Sequence, residues 1–193
     1  MSDDTTRTAA WRHRDARDGF EVVFLEPGTD GGRRLTGHVA AVEDGVAWAV
    51  RYAIDVDAAW RTRGARIRTR TPRGTTELTV EGDGEGGWRI DGVPVPALDG
   101  CLDVDLEASA ATNAFPVGRL GLAVGAAADA PAAYVRVLDP VVGRLEQRYE
   151  RIADDGDRRR YRYTSPAFGF EAVLAYDAAG LVVDYPGIAI RVP

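Results

Sequence analysis

Four acidic residues lie close together in the middle of the chain and are the strongest candidates for acid–base chemistry. They are Asp99, Asp103, Asp105 and Glu107, and the last three alternate with apolar residues. Alternate acids on one face of a strand can pair as general acid and base, or bind a hard cation. The simpler interpretation is a strand whose polar face meets solvent and pairs with arginines of a neighbouring strand. We expect this structural role, and predict no catalytic residue and no metal site here.

Nucleophilic catalysis has few other candidates. A hydrolytic triad needs a nucleophile, a base and a group that orients the base, but His13 and His38 are the two histidines. A lone histidine in a strand such as Leu35–Glu43 is more often a surface residue than a base. No serine stands in a Gly-x-Ser-x-Gly turn. The single cysteine, Cys101, excludes an internal disulfide and multi-cysteine zinc patterns, and its position favours an inert core thiol. We therefore predict no cofactor.

A row of arginines is the second chemical feature. Arg66, Arg68 and Arg70 alternate with other residues, so a strand would place their guanidinium groups on one face. Guanidinium forks suit phosphate or carboxylate recognition. A solvated strand face that pairs with the acidic strand is an equally good interpretation. Whether this row lines a cavity or faces solvent stays open at the level of sequence.

Charge and hydropathy exclude several classes of protein. The net charge is −6, whereas sequence-independent nucleic-acid binding rests on a basic excess. No stretch approaches the ~18 apolar residues of a transmembrane helix, and the charged N-terminal segment lacks the apolar core of a signal peptide. We therefore expect a cytoplasmic protein that binds no nucleic acid, and predict no particular oligomeric state.

The elements that must position these residues are strands. Apolar and polar residues alternate with a period of two, the pattern of strands with one buried and one wet face. The clearest segments are Phe20–Phe24, Tyr52–Val56, Leu102–Leu106 and Phe168–Tyr176. In the first of them the phenylalanines are expected on the buried face, and the last is expected to be the longest strand. Turn signals such as Asp-Gly separate such segments, as in a hairpin meander.

The resulting fold class is mainly β, with antiparallel strands and at most one or two short helices. Asn113–Leu122 is expected to hold a short helical turn, and Val142–Ile152 is predicted to be strand despite its helical spacing. No β-α-β alternation is present, which argues against a parallel nucleotide-binding sheet. No linker interrupts the pattern, so residues 1–193 are expected to form a single β domain.

Aromatic residues with a polar edge form a third group of candidates. Such rings line sugar sites and the margins of lipid head groups, but they also fill β cores, and both interpretations remain open. The residues are Trp48, Trp60, Trp88, Tyr134, Tyr149, Tyr161, Tyr163, Tyr176 and Tyr185.

Several stretches together resemble a bacterial family of glycolipid-binding proteins. They are residues 51–63 (Arg-Tyr-Ala-Ile-Asp, then Trp-Arg-Thr-Arg), 98–106 (Leu-Asp-Gly-Cys-Leu-Asp-Val-Asp-Leu), 112–120 (Thr-Asn, then Pro-x-x-Arg-Leu), 147–149, 161–163 and 180–187. The sequence departs from the family at Ala114 and Phe115, where Thr and Leu are usual, and at Gly118, where an Arg commonly precedes Arg119. Weaker binding of an anionic head group would follow if that Arg contacts it.

The resemblance implies a fold similar to that of lipoprotein-carrier proteins, in which a large curved antiparallel sheet, an open or flattened barrel, wraps an apolar cavity. It implies non-catalytic binding or carriage of a lipid or glycolipid, although the functional name of the family is itself inferred from fold. The residues expected to contact the ligand are Trp60, Arg63, Asp103, Asp105, Asn113, Arg119, Gln147, Tyr149 and Tyr163. Two alternatives stay open: an enzyme that acts on a small or sugar-bearing substrate through Asp99, Asp103 and Asp105, and a protein-interaction module that uses a sheet edge.

Overall fold

The principal element of the protein is one open antiparallel sheet of fourteen strands, seen in a computed structural model that describes residues 5–193. Seventeen strands occur in this range: β1 Arg7–His13, β2 Asp18–Pro27, β3 Arg33–Glu43, β4 Val46–Val56, β5 Thr62–Thr71, β6 Gly74–Gly82, β7 Trp88–Ile90, β8 Val93–Pro94, β9 Asp103–Leu106, β10 Ala127–Asp129, β11 Ala132–Val135, β12 Val142–Leu145, β13 Arg148–Asp155, β14 Arg158–Ser165, β15 Phe170–Tyr176, β16 Val182–Tyr185 and β17 Ala189–Arg191. The order in the large sheet is β10-β13-β14-β15-β16-β17-β1-β2-β3-β4-β5-β6-β7-β8. The predicted mainly β, antiparallel fold is confirmed.

A small sheet and one short helix accompany the large sheet. The small sheet has the order β12-β11-β9, and its β9 and β11 run parallel, which is an exception to the antiparallel prediction. Helix α1, Ala114–Leu120, follows a 3₁₀ turn at Ala111–Asn113 and ends at Gly121, whose φ is 52°. The prediction of a helical turn within Asn113–Leu122 is therefore confirmed, and Val142–Ile152 forms β12 and most of β13, also as predicted.

The large sheet curves around α1 and the segment that precedes it. The Tyr149 hydroxyl of β13 donates to Asn113 Oδ1 at 2.8 Å, and the Tyr52 hydroxyl of β4 lies 3.1 Å from Ser109 Oγ. In the order of the sheet β13 is second and β4 is tenth, so they would lie about 38 Å apart if the sheet were flat. Ser109 and Asn113 are four residues apart and span at most about 14 Å. Both halves of the sheet must therefore bend toward the same short segment.

The inner face, which meets this segment, carries the core of the protein. Alternate residues of the strands point inward, and the largest of the fully buried side chains include Trp11, Tyr52, Tyr149 and Tyr176. Phe115 of α1 is also fully buried between the two halves of the sheet. Burial of each such ring stabilises the fold by about 1.5–3 kcal/mol. The short helix is thus held in place by the sheet that surrounds it.

The predicted orientation of β2 is wrong. Phe20, Val22 and Phe24 lie on the outer face and are 53%, 41% and 45% exposed, whereas Glu21 and Val23 are fully buried. Apolar residues occur on both faces of this strand, so the alternation alone does not show which face is buried. A shift of the strand register by one residue would exchange the buried and exposed faces. The inward orientation is stabilised by hydrogen bonds that Glu21 accepts from the segment before α1.

Two further expectations about strands are also corrected. Asp103 is buried and Asp105 is half-buried, because Arg119 of α1 pairs with Asp103, and Thr112 and Gln147 donate hydrogen bonds to Asp105. The longest strands are β3 and β4, with eleven residues each, and not β15, which has seven. The segment Phe168–Tyr176 is shorter than expected since a 3₁₀ turn at Pro166–Phe168 precedes the strand.

The arginine row faces solvent. Arg66, Arg68 and Arg70 of β5 are exposed on the outer face, and Arg68 pairs with Glu77 of β6 at 3.4 Å. The interpretation of this row as a solvated strand face is therefore right, although the acidic partner belongs to β6 and not to the Asp103–Leu106 strand. No helix in residues 5–193 is long and apolar enough to cross a membrane.

Candidate functional site

A pocket of about 220 Å³ opens near the turn between β1 and β2. One side of its wall is aromatic and apolar, because β14, β15 and β16 of the large sheet, β11 of the small sheet and the turn before β15 direct rings toward it. These rings belong to Tyr134, Tyr163, Phe168, Phe170 and Tyr185. The polar side comes from the segment 105–113 and from the β1–β2 turn. The pocket thus combines an apolar wall with a polar one.

The aromatic wall is a connected cluster of rings. Tyr163, Phe170 and Tyr185 contact one another with centroid separations of 5.9–6.1 Å and tilted or edge-to-face geometry. Tyr134 and Phe168 form a second pair at 5.6 Å. Such pairs add about 0.5–1.5 kcal/mol beyond the area that they bury, so the wall is well supported. A sugar ring or a short apolar segment could pack against it.

Asp105 is the most perturbed carboxyl in the pocket. The Thr112 hydroxyl donates to Asp105 Oδ1 at 3.0 Å, and Gln147 Nε2 donates to Oδ2 at 2.5 Å. Burial raises the pKa of Asp105 to about 6, and the neighbouring charges of Asp103 and Glu107 act in the same direction, against these two hydrogen bonds. The carboxyl is therefore fixed in position and titrates in an accessible range of pH.

Asn113 lies beside Asp105 and is fixed in the same way. Its Oδ1 accepts the hydrogen bond from Tyr149, and its Nδ2 donates to the carbonyl of Ala110 at 3.4 Å. Gln147 and Tyr149 do not line the pocket, but each holds a residue that does. The sequence-predicted residues Asp105, Asn113, Gln147, Tyr149 and Tyr163 are thus brought together at one place.

A buried network supports the polar wall from behind. Glu21 Oε1 accepts hydrogen bonds from the Tyr52 hydroxyl, at 2.5 Å, and from the Ser109 hydroxyl, while Oε2 accepts from the Ala110 N–H at 2.8 Å. Burial raises the pKa of Glu21, although these hydrogen bonds oppose the shift. Ser109 lines the pocket, so this network fixes one edge of the site.

One polar group of the pocket lacks a partner. Arg17 Nη1 is buried and has no hydrogen-bond partner among residues 5–193, whereas the Ser165 hydroxyl interacts with the Tyr163 side chain and opposes the rise in the pKa of Tyr163. The rest of the Arg17 side chain is held by Glu43, 3.5 Å from Nε, and by the ring of Trp48, 5.4 Å from Cζ. Because nearly all buried polar groups in proteins are hydrogen-bonded, Arg17 Nη1 is a candidate donor to a ligand.

The remaining predicted ligand residues lie elsewhere. Asp103 is buried in a bidentate ion pair with Arg119, whose Nη2 lies 2.6 Å from Oδ2. Burial raises the pKa of Asp103, and Arg119 opposes that shift. Trp60 lines a second pocket near α1, and Arg63 lines two other pockets near β5 and β6. The structure therefore separates these four residues from the aromatic pocket.

The acidic residues proposed for an enzyme do not converge. Asp99 is exposed, Asp103 is neutralised by Arg119, and of these residues Asp105 alone lines the aromatic pocket. Glu107 is the second carboxyl there, and its Oε2 accepts a hydrogen bond from the Val137 N–H at 2.9 Å. The acidic cluster that the sequence suggested is thus divided among three separate environments in the fold.

The other reactive side chains lie outside the pocket. Burial, with a contribution from Arg17, lowers the pKa of His13 to about 4, and His38 is exposed on the outer face. Cys101 is buried, and burial raises its pKa to about 11, as expected of an inert core thiol. Within residues 5–193 no three His, Cys, Asp or Glu side chains are grouped so that they could hold a metal ion.

Several pocket residues were not predicted as ligand contacts. Arg17 and Ser165 lie in turns or at a strand end, and Phe168 and Phe170 were assigned only to a strand face. A signal was present for Phe168, because it follows Pro166 and precedes Gly169, a context that places a ring in an exposed turn. No sequence pattern indicated that Arg17 would be buried.

Comparison with known proteins identifies the family. A family model described as "Putative glycolipid-binding" matches residues 8–191. The chain belongs to this family. Its structure is similar to the crystal structure of a DUF1089 family protein from Pseudomonas aeruginosa, with 34% sequence identity, a TM-score of 0.79, and coverage of 93% of this chain and 95% of that one.

A more distant structure supports the fold and carries no functional assignment. A β-barrel-like protein of domain of unknown function DUF1849 from Brucella abortus is similar with a TM-score of 0.50 and 9% identity, over 96% of this chain and 93% of that one. No curated protein matches the sequence. The resemblance noted in the sequence is therefore confirmed at the level of family and fold.

Proposed function

We propose that the protein binds the head-group end of a glycolipid or similar amphipathic molecule in the aromatic pocket, without catalysis. The observation that carries this proposal is the pairing of an aromatic wall with a buried, unpartnered polar atom, Arg17 Nη1. Ligand sites are typically apolar surfaces with a few convergent polar groups. Membership of a glycolipid-binding family supports the same assignment.

The size of the pocket limits which part of the ligand it holds. At about 220 Å³ it is smaller than the ~300–1,000 Å³ of sites that enclose drug-sized ligands. A cavity of about 150 Å³ accommodates benzene, so this pocket has room for one sugar ring or a short length of chain. The acyl chains of a glycolipid would have to extend beyond it.

The polar groups of the pocket fit a sugar. Asp105 and Asn113 present oxygen and nitrogen atoms whose positions are fixed by Thr112, Gln147 and Tyr149. The hydroxyl groups of a sugar can donate to the carboxylate of Asp105 and accept from Arg17 Nη1, so each of these protein groups would form a hydrogen bond with the ligand. The cluster that includes Tyr163 and Phe170 offers ring faces against which the apolar face of a sugar can pack.

Native mass spectrometry of the freshly purified protein, followed by lipid analysis of an organic extract, tests whether it carries a ligand. Calorimetric titration with octyl glucoside, below its micelle concentration, then tests the pocket. We expect Phe170→Ala and Arg17→Gln each to weaken binding about tenfold, as loss of one ring contact or one charge-assisted hydrogen bond predicts.

Val93→Ala is the matched control, because Val93 is 62% exposed on β8 and does not line the pocket. Its affinity for octyl glucoside should equal that of the wild type. A ligand-free mass together with no saturable uptake of octyl glucoside would contradict the proposal. Equal weakening by all three substitutions would also contradict it, since the pocket would then not be the binding site.

A further inference from the structure

A second, larger pocket of about 490 Å³ lies along one face of helix α1. The aromatic pocket meets Asn113, just before the helix, whereas the second pocket meets Ala114, Val117, Gly118 and Gly121 along the helix. Four arginines from different strands line the second pocket, namely Arg7, Arg33, Arg151 and Arg159, and none of its described lining residues is acidic. This concentration of positive charge occurs in a chain whose net charge is −6.

Arg33 is held in the pocket by an unusual turn. Trp60 has a φ of +65°, a conformation that is rare and strained for a bulky residue. The turn is stabilised by the Asp57 carboxylate, which accepts hydrogen bonds from the Ala59 and Arg61 N–H groups. The conformation places the Trp60 indole under the Arg33 guanidinium, whose Cζ lies 5.0 Å from the centroid.

Helix α1 fixes the other side of the same indole. A Cβ added at Gly118 would lie 2.6 Å from Trp60 Cδ2, so only glycine lets the ring lie flat against the helix. Strain at a bulky residue persists where the surrounding structure imposes it, and it is concentrated at functional sites. Arg33, Trp60 and α1 therefore form a stack that presents one guanidinium to the pocket.

The other arginines differ in how their charges are balanced. Arg151 forms an ion pair with Asp154 and lies over the ring of Tyr161. Arg33 and Arg159 form no ion pair with the carboxylates of residues 5–193. Two guanidinium groups without a direct ion pair to the described carboxylates thus line one pocket, since Arg159 acts on the Asp154 carboxylate only at longer range. Together they match the charge of a dianion.

We propose that the second pocket binds a phosphate group, either as a free phosphate or as the phosphate head of a lipid. Phosphate carries nearly two negative charges near pH 7, and planar guanidinium forks bind its oxygens through paired, charge-assisted hydrogen bonds. Arg33 and Arg159 are the principal contacts. This site is separate from the aromatic pocket and goes beyond the function proposed for it.

Calorimetric titrations of the full chain with inorganic phosphate and with dihexanoyl phosphatidic acid, at low ionic strength and pH 7.5, test the site. Arg33→Gln and Arg159→Gln should each weaken phosphate binding about tenfold or more, which corresponds to one lost charge-assisted contact. The controls are Arg34→Gln and Arg160→Gln, the adjacent residues in each strand. Arg34 pairs with Asp55 and Arg160 donates to the Ala153 carbonyl, and neither lines the pocket.

The controls change the net charge by the same amount, so they should leave the affinity within twofold of the wild type. Equal affinity for the two probes would assign the site to free phosphate, and tighter binding of the lipid, lost in the same variants, would assign it to a head group. Absence of saturable binding of either probe would overturn the proposal, as would equal weakening by the controls. Octyl glucoside binding should be unchanged in all four variants, so failure of this proposal is distinguishable from failure of the aromatic pocket.

Discussion

At the scale of single residues, Glu21 shows how a buried carboxyl can set the orientation of a strand. It has three hydrogen-bond donors, two of which come from Tyr52 and Ser109, 31 and 88 residues away in sequence. In the sequence it looks like a solvated residue between Phe20 and Val22. Its burial could not be predicted, because nothing local indicates donors that the fold alone brings near.

Asp105 gives the clearest dependence of stability on pH. Its pKa is raised in the folded protein from the usual 3.8 to about 6, so the folded state binds the proton more tightly than the unfolded state does. Its stabilising contribution is therefore complete below about pH 3.8 and is lost as the pH rises through about 6. We expect it to contribute a fall of about 1–3 kcal/mol in the free energy of unfolding across this window.

Asp105→Asn is the comparison that isolates this group. Urea unfolding of both proteins at intervals between pH 4 and pH 7 gives the difference in the free energy of unfolding. The wild type should lose stability relative to the variant as the pH rises, because the amide does not titrate. Parallel pH profiles would show that the carboxyl has the same pKa in both states.

At the scale of elements, the helix and most strands could be predicted from the sequence, but the side of each strand that is buried could not always be predicted. The alternation at Tyr52–Val56 predicted both a strand and its buried side, since the intervening positions, Ala53 and Asp55, carry no large apolar side chain. At Phe20–Phe24 both sides contain apolar residues, so the pattern gave the strand and the wrong side. The same limit applies to β9, whose acidic side is covered by α1 and its Arg119.

Gly118 tests the contact between α1 and the β4–β5 turn. In most helices Gly→Ala stabilises by about 0.5–1 kcal/mol. Here the new Cβ would overlap the Trp60 indole, which Arg33 covers on its other side. We therefore expect Gly118→Ala to lower the free energy of unfolding by about 1–3 kcal/mol, as overpacking does, and urea unfolding measures this change.

Gly143→Ala provides the control for that substitution. A Cβ at Gly143 meets nothing within 4 Å, and its backbone needs no positive φ. This variant should be within about 0.5 kcal/mol of the wild type. If Gly118→Ala proved equally neutral, the indole would have room to move and the proposed stack would not be rigid.

At the scale of the whole molecule, the two ends of the large sheet are protected by their shortness. The terminal strands β8 and β10 contain two and three residues, and β8 includes Pro94. Short end strands and proline are common means of preventing edge pairing. These ends offer little length for a partner strand, so the expectation of a protein-interaction module at a sheet edge gains no support.

The middle of the sheet contains the contact on which its continuity depends. β1 and β17 pair through Trp11 with Arg191 and through His13 with Ala189, and they join the half built from β1–β8 to the half built from β10 and β13–β17. Trp11 also donates to the Val182 carbonyl at 2.9 Å. We call this pairing the seam.

Removal of residues 187–193 should abolish cooperative folding, because it deletes β17 and leaves β1 unpaired beside a buried core. Urea unfolding followed by tryptophan fluorescence measures the cooperativity. The expected result is a broad transition with a reduced m-value. A transition as sharp as that of the wild type would mean that each half folds without the seam.

The seam also determines when folding of the large sheet can be completed during protein synthesis. Trp11 and Arg191 are 180 residues apart (191 − 11), so β1 emerges from the ribosome about 10–40 s before its partner at ~5–20 residues per second. Throughout that interval one edge of β1 has no neighbour, and the indole that will be fully buried stays accessible. The nascent chain is therefore exposed to aggregation until β17 is made, and its folding yield should depend on chaperones that shield β1.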